Sequence, residues 1–150
     1  MIGQRSFEDF HVGQVFPLGP RVITAEEIKS FALEFDPQAF HLNEVAGESS
    51  VLGGLAASGF HSGALMLRLI CDSFLSNSSI LGTSNMERLT WLMPVYARDE
   101  LSGALEVTAL RPSQSRPQMG IMNFAAHLQN QAGVRKVELV GTFFFGRRTT

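Results

Sequence analysis

A single cysteine, Cys71, occurs among the 150 residues, so no internal disulfide can staple this chain. Only four histidines accompany it, scattered along the sequence, and no spacing among them would hold zinc. Cys71 lies in an apolar run, where a thiol ordinarily behaves as a small buried hydrophobe rather than a nucleophile. Charge is also scarce, at 17% of residues with a formal net charge of −2, which argues against the clustered basic surface that nucleic acid requires. Tyrosine and tryptophan occur once each against twelve phenylalanines, a balance that favours a dry core over exposed base-stacking platforms. The opening MIGQRSFEDF lacks a basic-then-apolar leader pattern. The apolar run over 65–75 carries Arg68 and Asp72 and is too short to span a bilayer. The expectation is a cytoplasmic protein without a nucleic-acid or membrane partner and without a bound metal.

What is present is apolar material, 45% of residues, over about one domain's length. Such a domain buries roughly two-thirds of its extended surface. No linker, repeat or low-complexity tract interrupts the sequence, so residues 1–150 are expected to form a single domain. Residues 14–18 read as a short strand stopped by Gly19-Pro20. Thr24 and Glu27 have capping-box spacing, and Ile28, Phe31, Ala32 and Phe35 follow at one-face helical intervals. Pro37 disfavours helical geometry at Asp36, so that helix should end near Phe35, with His41 in the loop beyond it. Residues 42–57 look irregular, with one helical turn around 43–46. A second helix over 58–76 is apolar on nearly all sides and must lie inside something. Residues 77–85 read as a polar loop.

Beyond it the period changes to two. Leu89, Trp91 and Met93 share one face of a strand, and Leu101, Gly103, Leu105, Val107 and Ala109 alternate through a longer one. A third run covers 118–129, and the turn 130–133 leads into a last strand with Val137, Leu139, Phe143 and Phe145 inward. This order implies an α+β fold in which a curved antiparallel sheet wraps a long buried helix. The apolar surface left over on that helix suggests a second subunit.

Asp36 and His41 place an acid and an imidazole five residues apart, and Ser58-Gly59 opens the buried helix seventeen residues further on. An acid, a base and bare amides at a helix start are the parts needed to add or remove water beside a carbonyl. Ser58 reads as the helix N-cap, and Gly59 would let a substrate approach without a side chain in the way. His61 lies on the first turn, where packing or hydrogen bonding is favoured over direct chemistry. His11 and His127 show no partner. Arg111, Arg116, Arg147 and Arg148 lie at strand ends, where solvated surface charge is the ordinary role. Gly53-Gly54 lacks the ending of a phosphate loop, and Ser58 lacks the elbow of a serine nucleophile.

The entry segment Phe7-Glu8-Asp9-Phe10-His11-Val12-Gly13-Gln14-Val15 resembles the start of MaoC-like dehydratase domains. The Asp36…His41 spacing resembles the hydratase motif of that family, as found in (R)-specific enoyl-CoA hydratases. Trp91-Leu92-Met93-Pro94-Val95 with Asp99-Glu100-Leu101 is similar to its strand-turn-strand. The resemblance implies a hotdog fold, usually paired into dimers, and a hydratase or dehydratase acting on an acyl-CoA thioester, with no cofactor beyond the CoA of the substrate. It also implies that Asp36 and His41 are the catalytic pair, that the Gly59 N–H faces the thioester oxygen, and that Ser58, Phe60 and His61 surround the substrate. The chain departs from the family pattern in Pro37, Gln38, Ala39 and Phe40, in Ser58 before the glycine where a His is usual, and at Leu67, where the family has a serine. A hotdog thioesterase and a non-catalytic acyl-thioester-binding subunit are the alternatives.

Overall fold

The computed structural model describes residues 4–148. Five strands, β1 (Val15–Val22), β2 (Ile80–Trp91), β3 (Glu100–Pro112), β4 (Met119–Gln129) and β5 (Arg135–Gly146), form one antiparallel sheet in the order β1-β3-β4-β5-β2. Four α-helices, α1 (Ala25–Phe35), α2 (Ala39–Leu42), α3 (Glu44–Glu48) and the long α4 (Gly59–Ser73), and a 3-10 turn over Leu75–Asn77 join β1 to β2. The sheet is open and curved, the fold is α+β, and it is the hotdog arrangement. Among the described residues no helix is long and apolar enough to cross a membrane.

The core forms where the sheet meets α4. Leu65, Met66, Leu69 and Ile70 on the helix are buried with Leu105, Phe124, Leu128, Val137, Phe143 and Phe145 on the strands. Burying each large apolar side chain contributes about 1.5–3 kcal/mol, which makes this contact the principal glue of the fold. Phe16 stacks on Phe74 with centroids 4.0 Å apart, tying β1 to the end of the helix. The opposite side of α4 is open: Phe60 is 72% exposed and Leu67 42%.

α1 begins as its capping box dictates, with Thr24 Oγ1 accepting from the Glu27 N–H and Glu27 Oε2 accepting from the Thr24 N–H. Ile28 and Ala32 are buried, but Phe35 is exposed and lies against Phe31 instead of the core. Three expectations need correction. β1 continues past Gly19-Pro20 to Val22, because Gly19 takes a positive φ of 78° and the register shifts there as a bulge. The expected loop over 77–85 is already strand from Ile80, a sheet edge whose residues are mostly exposed. His41 sits on a one-turn helix, not in a loop, and α3 follows with Asn43 Oδ1 capping the Ala46 N–H.

Candidate functional site

Three segments converge at the open end of α4. The first is the end of α1, where the Asp36 N–H closes the last turn onto the Ala32 carbonyl. Pro37 turns the chain, and the His41 N–H then donates to the Gln38 carbonyl, which holds the imidazole on α2 close behind the carboxylate. The second segment, 54–58, runs beside 95–97: the Ala57 N–H donates to the Val95 carbonyl and the Ala97 N–H to the Leu55 carbonyl. The third is the end of β2 with the following residues 92–95. Together they enclose a half-open, mainly apolar cavity of about 440 Å³, with Asp36, His41, Ser58 and Gly59 in its wall.

His41 Nε2 lies 3.4 Å from Asp36 Oδ2, with the imidazole side chain 8% exposed and the carboxylate 23%. The other ring nitrogen, Nδ1, is 2.7 Å from the Ala56 carbonyl oxygen. A carbonyl can only accept, so Nδ1 carries a proton in either charge state of the ring. In the neutral ring Nε2 is consequently the bare base, and it faces the carboxylate. The Asp36 carboxyl is lowered from the ordinary aspartate value, first by the Ser58 hydroxyl and next by the Gln38 amide; burial pulls the other way, and His41 adds the least. Gln38 Nε2 donates to Asp36 Oδ1 at 2.6 Å. The Ser58 hydroxyl, although near enough to act on the carboxylate's charge, has no hydrogen bond of regular geometry and is buried. It stands at the N-cap position of α4 without capping it, contrary to expectation.

Gly59 opens α4. The first amides of a helix have no intrahelical acceptor and carry partial positive charge. Among the described residues no side chain or carbonyl outside the helix accepts the Gly59 N–H. What fills the space beside its Cα is the Trp91 indole: a Cβ there would lie 2.6 Å from Trp91 Cε2. Glycine is thus demanded at 59 by the protein's own tryptophan, in addition to any demand made by a substrate. Trp91 Nε1 also donates to the Gly59 carbonyl at 2.8 Å, and its ring meets Phe60 edge to face. Trp91 was not singled out as a site residue from sequence, where it figured only in the strand before the turn at Pro94.

Of the six residues singled out, Asp36, His41, Ser58, Gly59 and Phe60 line the cavity. His61 does not. It is buried on the other side of the first turn, stacked on Phe31 at 4.5 Å with the rings nearly parallel, and its Nδ1 has no partner. The cavity wall takes Ser62 in its place, whose hydroxyl donates to the Gly59 carbonyl. Arg147 and Arg148 are paired with Glu8 and Asp9 and do not line this cavity. Among the described residues no group of three potential metal ligands occurs.

An acid and a base are thus in contact at the wall of an apolar cavity, with a helix start beside them, on a hotdog scaffold. The MaoC like domain matches residues 9–125, and the chain belongs to that family. It is 30% identical over 131 residues to the uncharacterized protein YdeM of Bacillus subtilis, covering 87% of this chain and 92% of that one. Its fold superposes with a TM-score of 0.88 on the MaoC-like dehydratase from Rhodospirillum rubrum, 38% identical, covering 97% and 99% of the two chains. The (R)-hydratase from A. caviae aligns at 25% identity and a TM-score of 0.70, covering 91% and 97%. Membership supports acyl-CoA hydratase/dehydratase chemistry in general terms, since the family includes (R)-specific enoyl-CoA hydratases.

Proposed function

We propose that this protein interconverts a 2-enoyl-CoA and the corresponding 3-hydroxyacyl-CoA, with Asp36 and His41 as the acid–base pair and the Gly59 N–H as oxyanion donor. The observation that carries the reading is the His41 Nε2–Asp36 Oδ2 contact of 3.4 Å at the cavity wall, with Nδ1 tied to the Ala56 carbonyl. Two bare acceptors side by side can receive both hydrogens of one water and leave its oxygen lone pair pointing outward. As that oxygen bonds to C3, the C2=C3 electrons move onto C2 and the thioester oxygen as an enolate. One water proton passes to the Asp36/His41 pair, and a proton from the pair is then delivered to C2. Charge on the thioester oxygen is greatest midway, where a helix-start N–H stabilises it most. Dehydration runs the same steps backwards. The apolar walls, including Phe40, Leu52 and Met93, suit an acyl chain.

Asp36→Asn and His41→Ala are each expected to slow enoyl-CoA hydration by about 10²–10⁴-fold while keeping the wild-type circular dichroism spectrum. Loss of the enoyl-thioester absorbance is the assay, with free thiol followed in parallel to detect thioester hydrolysis. Near-wild-type hydration by both folded variants would remove the proposal. We also propose a homodimer. β2 lies at the sheet edge, and Leu81, Trp91 and the neighbouring Phe60 and Leu67 of α4 are exposed there. Light scattering should give twice the 16.4 kDa chain mass, and a monomer at micromolar concentration would refute it.

A further inference from the structure

The Gly59 carbonyl receives more donors than a carbonyl in the first helical turn ordinarily does. Besides the helix's own i+4 amide, which closes the turn in any α-helix, it accepts from Ser62 Oγ at 2.8 Å and from Trp91 Nε1 at 2.8 Å. Ser62 belongs to the same helix, but Trp91 reaches in from the end of β2, a separate layer of the fold. Its indole also covers the Cα of Gly59, leaving no room for a Cβ. The glycine is thereby held both by a hydrogen bond and by a face of ring carbon. A peptide whose carbonyl accepts hydrogen bonds is more strongly polarised, so the N–H on its far side, here that of Phe60, becomes a better donor.

We propose that Trp91 is a positioning residue for the oxyanion site. By gripping the Gly59 carbonyl from the sheet, it fixes the first turn of α4 so that the turn's free N–H groups stay aimed at the thioester oxygen. The grip matters because α4 begins without a side-chain cap: Ser58 makes no capping bond. An uncapped helix start frays, and a frayed start cannot present preorganised donors. The indole takes the place of the missing cap, acting on the carbonyl side of the turn instead of the amide side. This inference rests on the hydratase reading above.

The test is Trp91→Phe, which keeps a ring over Gly59 and removes the N–H. Expected is a fall in kcat of about tenfold with KM within about twofold, the pattern of an interaction made in the transition state. A second readout is independent of how much protein is folded. A conjugated 2,4-dienoyl-CoA bound to the turnover-deficient Asp36→Asn protein absorbs at longer wavelength the more strongly its thioester oxygen is polarised. That red shift should be smaller in Asp36→Asn/Trp91→Phe. Unchanged kcat, an unchanged red shift, or a rise in KM alone would each overturn the assignment. If Trp91→Phe does not fold, benzothienylalanine at 91, which keeps the bicyclic ring without the N–H, is read by the same criteria. A wild-type protein without hydration activity would instead sink the hydratase reading, an outcome separate from these.

Discussion

Lys136 offers the sharpest test of how the sheet holds the cavity wall. It is a cation 3% exposed in the interior, on β5. Its Nζ donates to the Pro94 carbonyl at 2.7 Å, stands 3.4 Å from Asp99 Oδ2, and lies 4.9 Å from the centre of the Tyr96 ring. Lys136→Met keeps an unbranched stem and deletes the charge. The hydrogen bond from a charged group is worth about 1.5–3 kcal/mol. The ring contact adds about 0.5–2 kcal/mol. Asp99 would be left buried with the Tyr96 N–H at 2.9 Å as its remaining side-chain partner. These terms overlap, and removing one member of a buried pair costs about 3–5 kcal/mol in all. Against a domain stability of about 5–15 kcal/mol, that is a large fraction. Urea unfolding followed by fluorescence of the sole tryptophan reads the loss directly. Lys136→Met/Asp99→Asn should recover much of it, because no lone charge stays buried while an acceptor remains for the Tyr96 N–H. A single variant within about 1 kcal/mol of wild type, or a double variant no better than the single, would refute the reasoning. Because residues 92–95 line the cavity, the single variant should also raise KM for the enoyl thioester.

Gly59→Ala should lower stability by about 1–3 kcal/mol, since its Cβ would collide with an indole held by its own hydrogen bond. Trp91→Ala in the same chain should relieve that collision, and a double-mutant cycle without coupling would contradict it. His61 bears on pH. Burial lowers its pKa below the ordinary imidazole value; Glu27 partly restores it and Arg21 opposes. The unfolded chain therefore takes up that proton first as pH falls, so stability is retained above about pH 6.5 and drains away below it. His61→Phe, which also removes the unpartnered Nδ1, should flatten the unfolding free energy of this protein between neutral and mildly acidic pH. An unaltered slope in chemical denaturation at several pH values would count against it.

What the sequence made legible divides along a physical line. The Thr24/Glu27 box and the turn at Asn130 are settled within a few residues and stand as read, while the five-residue spacing of Asp36 and His41 brings their side chains into contact across a short helix. The inward residues Val137, Leu139, Phe143 and Phe145 of β5 were legible because a core face asks for apolar side chains at every second position, although Lys136 and Thr142 beside them are buried as well. β2 was partly hidden because it is an edge: with little to bury, residues 80–85 carry no such pattern and look like loop. Helical periodicity put His61 on the first turn of α4 but could not say that this side meets Phe31 while Ser62 meets the cavity. Trp91 lies thirty-two residues beyond Gly59, and only the closing of the sheet over the helix start brings them together. The glycine shows the consequence. Its sequence position suggests a residue kept small for a ligand, whereas the folded chain already occupies that space with its own indole. The same substitution tests both demands, and only the Trp91 background separates them: if Gly59→Ala regains stability but not turnover when the indole is gone, the cavity also requires the glycine.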